Sequence, residues 1–201
     1  MNRIPPSLAD RRGVAALEFG LIAPVLLLLM LGSYDLTMWV GAALRLNEVA
    51  ANMGGVISEC QTINDPGDIN RFEAAAQVIA GGTDISSQSG GAFIISGIGY
   101  NANNALVVLW QRRSGNPAYA SRIGATGAKP SLGGYTPAAG DVVIATELFS
   151  GIQPWVTSRG LMPSAFVLPL YSNALFLARS ATAQGLSSLN ENAGGATSCA
   201  S

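Results

Sequence analysis

One stretch limits what this chain can fold into more than any other. From Val14 to Tyr34 the sequence carries a single charge, Glu18, and is otherwise dominated by leucine and small apolar residues. At about 1.5 Å rise per residue, these ~21 residues form a helix of roughly 31 Å, the thickness of a hydrocarbon core. A membrane-spanning helix over 14–34 is therefore expected. Pro24 lies inside it, removes one backbone hydrogen bond and predicts a bend. A carboxylate within such a span is costly and marks a functional position when a partner can be named. The spacing names one: were the chain cut after Gly13, the new ammonium of Val14 would lie one helical turn from Glu18.

Residues 1–13 contain Pro5-Pro6 and the cations Arg3, Arg11 and Arg12, with no apolar period, and read as a disordered leader. The cations hold this end on the cytoplasmic side and send everything beyond about residue 40 outward. A cleaved secretory signal fits less well. Its apolar core runs about 7–15 residues to a small-x-small site, whereas here the leucine run passes straight into a helical pattern. Gly41-Ala42-Ala43 is the nearest such site and falls too late.

The order Arg11-Arg12-Gly13-Val14-Ala15-Ala16-Leu17-Glu18-Phe19, followed by the apolar residues 20–31, resembles a prepilin signal. More narrowly, with Gly-Leu-Ile-Ala-Pro-Val-Leu after Phe19, it is similar to the TadE/TadG-like minor pilins (pseudopilins) of tight-adherence (Flp pilus) systems. The resemblance covers about residues 11–60. It implies removal of the leader by a prepilin peptidase cutting between Gly13 and Val14, with Glu18 and the neighbouring Phe19 serving assembly. It implies a single-pass protein of the bacterial inner membrane with its C-terminal domain extracytoplasmic, in the periplasm or pilus. Its partners would be the peptidase, other pilin or pseudopilin subunits and the pilus assembly machinery. The rival reading is a signal-anchored envelope protein whose outer domain binds another component without entering a filament, with Glu18 incidental.

Charge and residue usage remove whole classes of function. The formal net charge is −1, and losing residues 1–13 subtracts three arginines and Asp10, a net +2, leaving −3. No basic patch remains, so nucleic acid is not an expected partner. There is no histidine, which removes His-based triads and His-ligated metal sites. The two cysteines make neither a zinc pattern nor a C-x-x-C motif, and the Gly-Gly runs lack the Lys-Ser/Thr of a phosphate loop. Lys129, the only lysine, sits in a Gly/Pro-rich loop and reads as solvated rather than as half of a Ser–Lys dyad. Asp141 and Glu147 read as polar positions of a strand and a turn. No catalytic residue, cofactor or metal site is expected, and the chain is not read as an enzyme. On an oxidising side of the membrane Cys60 and Cys199 have a use as a disulfide. The sequence does not show that they meet, so two free thiols stay open.

Beyond the span, Leu36, Val40, Ala43, Leu46, Ala50, Met53 and Ile57 recur at three- and four-residue steps, opposite Arg45, Glu48 and Asn52. This predicts a continuous helix to about residue 58, its second half packed on a domain. Gly54-Gly55 weakens its end. Asp35 reads as the outer membrane boundary, with an assembly contact as the other option. A short helix fits 68–80, with Asp68 as N-cap. Strands follow at 92–98 and, across the turn Asn101-Ala102-Asn103-Asn104, from Leu106 through Trp110 to an end at Arg112-Arg113, and at 140–149. Residues 114–139 read as a long irregular loop, and 150–165 as a crossover. A fourth strand lies within 166–181, where Pro169 argues for an edge, although 173–183 also admits a helix. The tail, 185–201, is Ser/Asn/Gly-rich and reads as flexible, apart from Cys199. The expected architecture is thus α+β: leader 1–13, membrane helix 14–34, and an extracytoplasmic domain, 35–184, in which one long helix packs on about four antiparallel strands, pilin-like.

Overall fold

A computed structural model describes residues 12–151, 169–179 and 186–199. The leader reading of residues 1–11 and the crossover reading of 152–165 lie outside the described residues.

Helix α1 runs without interruption over Arg12–Ser58, 47 residues, with Pro24 inside it. Its two halves live in different surroundings. Every apolar side chain from Val14 to Met30 is exposed or nearly so, while Leu46, Val49, Ala50, Met53 and Ile57 are buried. These five recur at three- and four-residue steps, so one stripe of the helix meets the domain. The stripe expected from sequence starts ten residues earlier, at Leu36. Leu36 and Val40 are exposed instead, because no described strand reaches down to them.

The stripe packs on a four-stranded antiparallel sheet in the order β2-β1-β3-β4, built from β1 (Ala92–Tyr100), β2 (Leu106–Gly115), β3 (Val143–Ser150) and β4 (Leu170–Leu177). The α+β arrangement expected from the sequence is the one the chain adopts. Asn101 closes the β1–β2 hairpin: its side-chain oxygen accepts the Asn103 and Ala105 amides while Asn104 takes a positive φ of 55°. Asparagine tolerates that left-handed conformation better than most residues, and its carboxamide supplies the turn's acceptor. Residues 173–177 belong to a strand and not a helix.

α1 lies across β3 and β4. Thr146 donates its hydroxyl to the Ala50 carbonyl (2.8 Å), Ser172 pairs with Asn47 (2.6 Å), and the Arg179 amide donates to the Ser58 carbonyl (2.7 Å). Gly54 marks the closest approach: a Cβ there would meet the Phe176 ring at 2.6 Å and the Thr146 hydroxyl at 3.1 Å. The glycine does not end the helix. It lets the sheet reach the helix backbone.

Helix α2 (Gly67–Ile79) runs beside α1 and buries Phe72 and Ala76. It starts one residue ahead of Asp68, so Asp68 sits inside its first turn and is not its N-cap.

The other face of the sheet is also covered. Ile98, Val143 and Ala145 pack with Ile123 and Leu132, and Ala92, Ile94 and Phe149 with Tyr119, all contributed by the connection between β2 and β3. That connection is irregular, as expected of 114–139, but it forms a third layer and not a solvated loop. The two central strands, β1 and β3, are consequently buried on both sides.

The C-terminal segment differs most from expectation. Over 186–199, read as flexible from its composition, Leu186 is fully buried and its carbonyl accepts the Trp110 indole N–H at 2.7 Å. Asn190 bridges to Asn64, and Glu191 shares the Arg112 guanidinium with Asp65. The segment is a strap across the α1–α2 turn.

Candidate functional site

Two regions hold the residues singled out from the sequence, at opposite ends of α1. At the first turn, Gly13 and Val14 are helical, and a side chain built at Gly13 would have nothing within 4 Å. Among the described residues no packing therefore requires glycine at 13. Glu18 and Phe19 follow one turn on, both exposed, in a segment whose most apolar window has none of its surface buried by the rest of the chain. The helix is long and apolar enough to cross a membrane. The structure thus places Gly13, Val14, Glu18 and Phe19 within two turns of one bare helix and brings no other part of the described chain near them.

The far end is a covalent and polar knot. Cys60, just past the end of α1, forms a disulfide with Cys199, their Cα atoms 4.9 Å apart. This separation is within the normal span of such a bond. Beside it Asp68, 1% exposed, collects four donors: the amides of Asn64 (2.8 Å), Ser198 (3.0 Å) and Cys199 (3.2 Å), and the Ser198 hydroxyl (3.1 Å). Burial pushes its carboxyl upward, but these hydrogen bonds outweigh burial and hold it below the ordinary aspartate value. Gly67 completes the fit, because a Cβ there would strike the carbonyl oxygens of Gly195 and Ala196. The pairing Cys60–Cys199 was within reach of the sequence. Asp68 as the strap's anchor was not, since its partners lie about 130 residues away along the chain.

A third polar cluster holds the layer on the sheet's second face. Glu147, fully buried on β3, accepts the Arg122 amide (2.8 Å), the Tyr171 phenol (2.9 Å) and the Ser121 hydroxyl. The Arg122 guanidinium lies 4.2 Å above the Tyr171 ring. Burial, then the adjacent Glu147 charge, pushes the Tyr171 phenol up, so it remains a proton donor to the carboxylate. Both oxygens of Glu147 accept hydrogen bonds from within the fold. A polar cleft of about 470 Å³ opens beside β2, lined in part by Asp65, Glu73, Arg112 and Arg113. Its arginines are committed: Arg112 to Asp65 and Glu191, Arg113 to the carbonyls of Pro117 and Tyr119. Lys129 is exposed. Among the described residues no three His, Cys, Asp or Glu side chains cluster as metal ligands.

Residues 13–54 match the model of a family described as TadE-like protein. The match begins at the glycine before Val14 and ends at the glycine against Phe176, so it covers the bare half of α1 and most of the packed half. No curated protein and no solved structure matches the chain. The match is confined to α1, and the helix it covers is long and apolar enough to cross a membrane.

Proposed function

We propose that this chain, whose first helix carries the TadE-like match, is a minor pilin-like (pseudopilin) component of a tight-adherence pilus or a related secretion apparatus. In this reading a prepilin peptidase removes residues 1–13. The mature chain is then stored in the inner membrane by the first half of α1, with the sheet domain on the outer side. Assembly into, or priming of, a filament depends on Glu18 meeting the amine of a neighbouring subunit's first residue.

The observation that carries the reading is the division of one uninterrupted helix into a wholly bare apolar half and a half built into a folded domain. A carboxylate on the bare half has no partner chemistry in lipid, where an unpaired charge costs ~2.5 kcal/mol or more. Pairing with an ammonium from an adjacent subunit offsets that cost at one axial register only. A misaligned neighbour leaves both charges unmatched in a low dielectric. The strap and its disulfide lie at the opposite end of α1, so the outer fold is independent of this pairing.

The test is processing and piliation in the same cells. Mature protein extracted from membranes should begin at Val14 by intact mass. Glu18→Gln should be processed and oxidised like wild type but fail to enter filaments. A chain that keeps Met1 in the presence of the peptidase, or a Glu18→Gln variant that assembles normally, returns the protein to the class of signal-anchored envelope binders.

A further inference from the structure

The apolar surface of α1 does not stop where a bilayer's hydrocarbon core stops. If Val14–Tyr34 fills that core, Leu36, Met38, Trp39, Val40 and Leu44 lie above it and all are exposed, Trp39 by 45% and Leu44 by 63%. Between Tyr34 and Ala42, the first residue packed against the domain, only Asp35 and Thr37 are polar, and the Thr37 hydroxyl is spent on the Ser33 carbonyl at 2.8 Å. A hydrated stalk would be polar there. This segment is not.

We infer that the domain has no long stalk and sits close above the outer leaflet, with the Leu36–Val40 segment of α1 embedded in the lipid headgroup layer. The inference rests on the anchoring reading above and adds to it a second lipid contact, made by the helix just below the domain. Lengths agree with it. A headgroup layer adds about 5–8 Å to each side of the hydrocarbon, and Tyr34 and Trp39 are separated by about 7.5 Å along the helix axis. The two aromatic rings bracket that layer, the position where amphipathic rings are enriched.

The domain continues the surface. Arg45 donates to the Gly81 carbonyl (3.2 Å), which fixes the end of α2 beside α1 one to two turns above Trp39. The last turn of α2 leaves Val78 exposed by 80%, and Ile79 is also exposed. Arg45 itself stands on this rim, about 9 Å along the helix axis from Trp39. Trp39, Leu46 and Met53 are seven apart, so the bare face below the rim is the same stripe that packs on the sheet above it. Lipid takes over where the sheet ends.

The test is depth-dependent quenching in full-length protein reconstituted into phosphatidylethanolamine/phosphatidylglycerol nanodiscs, with bromine at shallow or deep acyl positions. In a Trp155→Phe background the remaining tryptophans are Trp39 and Trp110. Trp110 is buried beside Leu186 and reports that the domain is folded. Trp39 should be quenched most by shallow bromines. A Leu27→Trp probe, with Trp39→Phe, should be quenched most by deep ones. Failure of the Leu27→Trp probe to quench would remove the anchoring reading itself. Quenching of Leu27→Trp with none at Trp39 would overturn the seat alone. In that case, accessibility of Trp39 to aqueous iodide would assign the segment to a stalk, and shielding from iodide would assign it to a second protein copy. Quenching of Trp39 chiefly by deep bromines would also overturn it, by placing the segment inside the hydrocarbon.

Discussion

Replacing Asp68 with asparagine isolates what holds the C-terminal strap. The carboxylate accepts three backbone amides and one hydroxyl while 1% exposed. Asparagine keeps the shape and one acceptor oxygen, but turns an NH2 group toward donors and removes the charge. Hydrogen bonds to a charged group contribute about 1.5–3 kcal/mol each, and a stranded buried donor costs about 1–3 kcal/mol. One or two of the four bonds would be lost outright and the rest weakened, so a destabilisation on the order of 3 kcal/mol at pH 7 is expected. The pH dependence gives a second handle. The folded Asp68 carboxyl lies below its unfolded value of about 3.9. Its contribution is therefore fully present above about pH 4 and is lost as pH falls through the folded value. The gap between wild type and Asp68→Asn should narrow in acid. The assay is hydrogen exchange by mass spectrometry on full-length protein in detergent, comparing strap peptides with sheet peptides at pH 7, alongside urea unfolding at pH 7 and pH 3. Unchanged exchange at Ser198 and Cys199 in the variant, or a stability gap as large at pH 3 as at pH 7, would refute the anchor.

Two further expectations concern the same domain. Cys199→Ser should lower the stability of the full chain in urea by up to about 5 kcal/mol, from chain entropy over the 139-residue separation, and no measurable loss would place the stabilisation elsewhere. Glu147→Gln should cost about 2–3 kcal/mol in thermal unfolding by leaving a donor unmatched among Ser121, Arg122 and Tyr171, and a variant as stable as wild type would show that this carboxylate does not hold the outer layer.

The elements with a period were legible, and the contacts without one were not. The three- and four-residue steps of Leu46, Ala50, Met53 and Ile57 announce a packed helix, and runs such as Leu106-Val107-Val108 announce strands. The hairpin turn is written in its asparagines. β2 runs past its expected end at Arg112-Arg113 to Gly115, because backbone pairing with β1 does not require apolar side chains. Ile123 and Leu132 are isolated apolar residues in a Gly/Ser/Pro-rich stretch, and nothing local tells them from surface positions. Glu147 looks like a strand's solvent-side residue until Ser121 and Arg122 fold over it. The strap fails for the same reason: Ser, Asn and Gly serve a flexible tail and a hydrogen-bonded one equally well. Of the residues at the helix start, the sequence supplies chemistry and spacing. The fold adds that nothing among the described residues competes for them.

Because the anchor and the core are one helix, the domain has no swivel. A shaft that is helical from Arg12 to Ser58 fixes the heading of the sheet relative to Glu18 and the bare half of the helix as firmly as its distance from them. Each residue added between Tyr34 and Ala42 would turn the domain by about 100° and raise it by about 1.5 Å, while seven would return it to within about 20° of its first heading, about 10 Å higher. The spacing between Glu18 and Leu46 is thus a compass bearing as well as a length. Any neighbour that reads the outer domain and the membrane helix at once reads both.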